Sequence, residues 1–194
     1  MIQAIETTYD GHKFRSRLEA RWALYFNFIG IKWEFEREAF MLTIVDDGVD
    51  KRVGYTPDFW LPDLRVWFEV KAEFGSYDVD VMWLYIAKAK AFCAAHQATI
   101  CTSFGSPRDG EIVRLDPGVG VATATWARCS HCLAWDLGYD GVHERPCGHT
   151  TERIGHSQAE GALLDATAYR FWEPKRQVFK GPSKYEREED QTDA

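Results

Sequence analysis

The 194-residue chain contains no apolar run of the roughly 18–20 residues needed to span a membrane. Its first residues, MIQAIETTYDGHKF, also lack the basic-then-apolar order of a secretory signal. Both absences predict a soluble, cytoplasmic protein without membrane partners. Cysteine is scarce, at five residues, and odd in number. In a reducing compartment that count argues against a disulfide framework and for core thiols or metal ligands. Basic residues do not dominate either, since the formal net charge is −7. That total is no electrostatic signature of a nucleic-acid binder, but the deficit is unevenly spread. The end of the chain, Glu186–Ala194 (EREEDQTDA), carries five acids and one Arg and reads as a solvated, disordered tail. Basic residues gather instead in HKFRSRLEAR, at Lys13, Arg15, Arg17 and Arg21. A local patch matters more for phosphate binding than the global sum.

What is plentiful is apolar and aromatic: 45% hydrophobic residues, including 8 Trp and 12 Phe. This suffices for one packed domain with a small appendage. Leu18, Trp22, Tyr25, Phe26 and Ile29 recur at helical spacing, Ser16 and Glu19 fit a capping box, and Gly30 offers a stop. IKWEFEREAFML alternates apolar and polar residues and predicts a strand, followed by a turn in VDDGVDKR. VGYTPDFWL and VWFEVKA predict two more strands, separated by a turn around Pro62. Beyond Gly75, VDVMWLYIAKAKAFCAAHQ predicts a second helix and ATICTSFG a further strand. IVRLDPGVGVATATW reads as extended, and EGALLDATAYRFW as a last helix before Pro174. The expected order is helix, three strands, helix, strand.

The segment YTPDFWLPDLRVWFEVKA sets charges inside an apolar context, where an unpaired buried charge is costly. Side chains alternate along a strand, so Trp67, Glu69 and Lys71 share one face while Phe68 and Val70 share the other. Asp58, behind Pro57, lies one short hairpin upstream of Glu69. Two carboxylates and an amine can therefore meet at neighbouring strand positions. Converging carboxylates repel unless a cation lies between them, and such hard oxygen ligands suit Mg²⁺ or Mn²⁺. Simpler readings exist for each residue. Asp58 could cap a turn, and Glu69 and Lys71 could form an ion pair at a sheet edge. Glu34 and Glu36 fit a solvated strand face, with a supporting role at the site as the alternative.

Pro57-Asp58 followed by Glu69-Val70-Lys71 resembles the signature of the PD-(D/E)XK nucleases, also called the restriction-endonuclease-like fold. The resemblance extends over residues 10–120 through the order of elements. FRSRLEARW, YTPDFWL and EVK together look like the endonuclease subunits of TnsA-type transposases and small phage-encoded nucleases. It implies an α/β fold with a central mixed sheet flanked by helices. It also implies a Mg²⁺-dependent DNA endonuclease in which Glu19, from the first helix, joins Asp58 and Glu69 on the metal, with Lys71 positioning water or stabilising charge. Glu19 could otherwise serve only as the cap of Ser16. Arg17 and Arg21, four residues apart on one helix face, are candidates for phosphate contacts or for pairing with nearby glutamates.

Cys129-x-x-Cys132 is matched, after fourteen intervening residues, by Cys147-x-His149. Two soft ligands on each of two turns suit structural, tetrahedral Zn²⁺. His131, His143 and His156 are alternatives to His149, and a metal-free pair of thiols is the bland reading. Cys93 and Cys101 read as core thiols. The expected organisation is a nuclease core over 1–125, a zinc-ribbon-like module over 126–157, a helical segment over 158–182 and an acidic tail over 183–194. The expected partner is nucleic acid, DNA foremost, with a homodimer or a targeting protein to bring both strands into reach. A non-catalytic interaction module that retains the fold and ribbon is the rival expectation.

Overall fold

The structure, a computed structural model, describes residues 4–73, 79–108, 110–129 and 131–139. Cys147, His149, His143, His156, the expected segment 158–182 and the acidic tail lie outside those residues. Asp10 (φ 49°) and Gly11 (φ 78°) both take left-handed backbone, the pairing that closes a two-residue hairpin. They join β1 (Thr7–Tyr9) to β2 (His12–Phe14). Periodicity does not reveal this hairpin because three-residue strands are too short to show an alternation. Its function in the fold is to drive Phe14 into the core, fully buried against Phe35 and Phe59. Arg15 is thereby held at the mouth of the first helix.

Helix α1 (Arg17–Ile29) begins and ends as its sequence predicts. Ser16 is extended, and its Oγ accepts the Glu19 backbone N–H at 3.1 Å. Gly30, in left-handed conformation, closes the helix by donating to the carbonyl of Asn27. Trp22, Tyr25 and Phe26 are buried and face the sheet, where Trp22 and Phe26 pack on Phe68. Burying each such side chain contributes about 1.5–3 kcal/mol.

Between the two helices the expected three strands are five. The strand expected over 31–42 breaks at Glu36, whose left-handed φ of 44° ends β3 (Glu34–Phe35) before β4 (Phe40–Asp46). The strand expected over 53–61 breaks at Thr56 and Pro57, separating β5 (Val49–Tyr55) from β6 (Phe59–Leu61). Proline has no N–H to give to a ladder, so the break falls there. Among the described residues, strands β4 and β5 pair only with each other, through a tight turn at Asp47 and Gly48.

Strand β7 (Val66–Lys71) follows β6 through a short turn in which Arg65 is left-handed. After it come α2 (Val79–His96), β8 (Ile100–Phe104), β9 (Glu111–Leu115), β10 (Val121–Arg128) and β11 (Trp135–Tyr139). Among the described residues the central sheet is mixed, in the order β11-β10-β9-β8-β7-β6-β3, and only the β7–β8 contact is parallel. A parallel neighbour requires a crossover, and α2 makes it.

Alternation along β7 separates two cores. Phe68 and Val70 belong to the core under α1, while Trp67 joins Phe92, Cys93 and Ile100 in the core under α2. Both faces of β7 are therefore covered, and the strand is interior to the sheet. The β10–β11 hairpin continues the same sheet, and Trp135 Nε1 donates to the carbonyl of Ile29 at 2.8 Å. Trp126 packs on Tyr25 and Phe26, so both tryptophans serve packing. Cys93 and Cys101 are buried, and burial pushes the Cys93 thiol up to about 11. Among the described residues, no helix is long and apolar enough to cross a membrane.

Candidate active site

The N-terminus of α1, the start of β6 and the end of β7 meet at one end of the sheet. The register pairs Phe59 with Phe68, and one step further sets Asp58 across from Glu69. Asp58 is buried, and its Oδ2 accepts the backbone N–H of Val70 at 2.8 Å. Its Oδ1 lies 2.9 Å from Arg15 Nη2. Burial, followed by the neighbouring Glu69 charge, holds the Asp58 carboxyl well above the usual carboxylate range, although Lys71 opposes the shift.

Glu69 is buried on the α2 side of β7. One carboxylate oxygen receives Lys71 Nζ in a short ion pair, and the other accepts the Tyr55 hydroxyl at 3.3 Å. Lys71 and Glu69 are thus partners, but not at a sheet edge, because β6 and β8 flank their strand. The Lys71 ammonium also stands 4.9 Å from the centre of the Tyr85 ring, a cation–π distance. Tyr85, from α2, shares a hydrogen bond with Thr102 on β8. Burial, then the Glu69 charge, pushes the Tyr55 hydroxyl well up, so it stays a proton donor at neutral pH. A cavity of about 210 Å³ opens beside Lys71, lined also by Val81, Met82, Tyr85 and Phe104.

Glu19 is buried at the first turn of α1. Its Oε1 accepts the Ser16 hydroxyl at 2.9 Å and its Oε2 the Arg15 backbone N–H at 3.0 Å. The capping box forms as the sequence predicts, although Glu19 takes the amide of Arg15 rather than that of Ser16. Arg15 connects Glu19 to Asp58 and also bonds Glu36 at 3.0 Å. Burial would discourage the Arg15 charge, but Asp58, Glu36, Glu19 and Glu69 outweigh it and raise its pKa.

Of the residues expected at the site, Asp58, Glu69, Lys71 and Glu19 come to this end of the sheet. Arg17 is exposed on α1, and Arg21 is half-buried with its Nε lacking a hydrogen-bond partner. Neither shows a contact with the acids. Arg15, Tyr55 and Tyr85 were missed as site residues by sequence reasoning. The basic run around Arg15 is a signal too coarse to single it out, and the tyrosines carry none.

Among the described residues, no three Asp, Glu, His or Cys side chains are grouped as a ready metal cage. Mg²⁺ does not require one, because it commonly takes one or two carboxylates and completes its shell with water and phosphate. The hard oxygens of Asp58 and Glu69, adjacent across a ladder, fit that demand. Glu19 is linked to Asp58 through Arg15.

The described half of the cysteine–histidine motif lies at the β10–β11 turn. The Cys132 N–H points at Cys129 Sγ at 3.4 Å, and Cys129 O accepts the Leu133 N–H. An amide directed at a cysteine sulfur would orient it as a ligand. Cys129 is buried and Cys132 exposed.

No family model matches the chain, and no curated protein or solved structure matches it.

Proposed function

We propose that the chain is a Mg²⁺- or Mn²⁺-dependent deoxyribonuclease of the PD-(D/E)XK type. The observation that carries this reading is the buried Asp58–Glu69 pair with Lys71 beside it, at one end of a mixed sheet. Further support comes from a helix preceding the hairpin and a helical crossover from β7 into parallel β8. Asp58 and Glu69, with Glu19, would hold the ion. When bound, it polarises a phosphoryl oxygen and lowers the pKa of an attacking water. Tyr55 fixes the Glu69 carboxylate by donating to one oxygen. Lys71, held between Glu69 and the Tyr85 ring, orients the water or offsets charge developing on the phosphoryl oxygens. Arg17 and Arg21 serve phosphate contacts, and a homodimer or targeting protein brings a second strand into reach. Cys129 and Cys132, with Cys147 and His149, would hold a structural Zn²⁺.

One observation favours a second reading, a nucleic-acid-binding module without catalysis: the acids are engaged by Arg15 and Lys71 rather than grouped around a common centre. Labelled single-stranded, duplex and branched DNA, and RNA, incubated with Mg²⁺ or Mn²⁺ would separate the two. The nuclease reading expects cleavage that stops with chelator and in Glu69→Gln. Binding by both proteins without cleavage in any metal would leave the module.

A further inference from the structure

Arg15 touches three acids at this end of the sheet, Asp58, Glu36 and Glu19. A single nitrogen, Nη2, bridges Asp58 Oδ1 at 2.9 Å and Glu36 Oε1 at 3.0 Å. The backbone N–H of the same residue holds Glu19. Asp58 Oδ2 is committed to the Val70 amide, so Oδ1 is the oxygen that any second cation would share with Arg15. The side chain of Asp58 is 3% exposed and that of Arg15 62%. The guanidinium therefore reaches the buried oxygen from the solvent side, which is also the side from which an ion would come.

Glu36 is set to receive that guanidinium. Its backbone is left-handed, a conformation uncommon outside glycine, and its N–H donates to the Asp58 carbonyl at 2.8 Å. Strain of this kind persists where the surroundings hold it in place. Here it sends the Glu36 carboxylate back over Arg15 rather than along β3.

We propose that Arg15 is a positioning residue that competes with the divalent cation for Asp58 Oδ1, and that Glu36 is the acceptor onto which its guanidinium transfers. This rests on the metal-dependent reading above. Arg15 keeps the buried acid paired, and Glu36 makes its withdrawal easier. Metal affinity is consequently set by two charges outside the ligand set, Arg15 and Glu36, as well as by the ligands, through ordinary linkage.

The test is calorimetric titration of the full chain with Ca²⁺, read against Glu69→Gln to subtract binding elsewhere, with circular dichroism confirming each fold. Arg15→Gln should bind Ca²⁺ about 10-fold more tightly than wild type, within the usual range of coupling between sites. Glu36→Gln should bind several-fold more weakly, and the double variant should match Arg15→Gln, because Glu36 acts only through Arg15. If Arg15 merely oriented Asp58, Arg15→Gln would bind equally or more weakly, and the proposal would be overturned while the metal site stood. Equal binding by wild type and Glu36→Gln would remove Glu36 as acceptor and with it the transfer. Wild type that binds no better than Glu69→Gln would overturn the metal-dependent reading itself.

Discussion

Asp58 and Val70 are joined by one hydrogen bond, Val70 N–H to Asp58 Oδ2 at 2.8 Å, although they lie twelve positions apart in the chain. The bond fastens the head of β6 to β7 between Glu69 and Lys71. Val70 turns its side chain into the core under α1, so the residues on either side of it face the other way. Two distant short motifs become one site because a main-chain amide with its side chain buried behind it holds the acid in place.

On the nuclease reading, loss of Lys71 should separate catalysis from binding. Lys71→Ala should slow single-turnover cleavage by about 10²-fold or more, the usual effect of removing a donor that acts on transition-state charge. DNA affinity measured in Ca²⁺ should stay within a few-fold of wild type, since on that reading only one of several cations that would meet phosphate is removed. Cleavage unchanged by the substitution would place the chemistry elsewhere.

The pH dependence of stability should carry the mark of Asp58. Burial and then Glu69 raise its pKa in the folded chain, against the opposing charge of Lys71 and the Val70 amide, with Glu19 adding to the rise. Arg15 and Glu36 face it from the solvent side. Between the unfolded pKa, about 3.9, and the raised folded one, the folded state keeps a proton that the unfolded state releases. Stability therefore falls as pH rises through that window. Asp58→Asn keeps an acceptor for Val70 and cannot ionise. In chelator, its melting temperature relative to wild type should climb from pH 4 towards neutrality. A difference that is flat or shrinks over that range would contradict the raised pKa.

Ser16→Ala should cost about 1 kcal/mol in urea denaturation, the usual loss of an N-cap. Glu19 would lose the Ser16 hydroxyl and keep only the Arg15 amide. Weaker Ca²⁺ binding should accompany the loss of stability if Glu19 also serves the ion. A purely structural cap would change stability alone.

Protein purified without chelator should contain close to one zinc per chain by elemental analysis. Cys132→Ser should lose it and melt at lower temperature, because structural zinc contributes folding free energy directly. The loosened Cys129–Cys132 turn would also release the β10–β11 hairpin, whose Trp135 is bonded to the end of α1. Zinc-free wild type with an unchanged melting curve would refute the assignment.

Sequence by itself determined those features that depend on residues a few positions apart. The stripe and capping box of α1, the alternation of β7, the second helix and the Cys129–Cys132 turn are all of that kind, since periodicity and caps are local chemistry. The spacing of Asp58, Glu69 and Lys71 was legible because one hairpin spans them. Tertiary structure alone decided the rest. Arg15 reaches Asp58 across 43 positions and Trp135 reaches Ile29 across 106, and neither pairing leaves a trace in any short window. Glu36 sits in an alternating pattern that favours a strand, yet its backbone turns left-handed beside the Asp58 carbonyl and the Arg15 guanidinium. Tyr55 reaches Glu69 only because β5 packs on the same face of β7 as α2. Such contacts join groups whose partners are chosen by how the sheet stacks its strands, and the energy of a buried charge depends on those partners rather than on its neighbours in the chain.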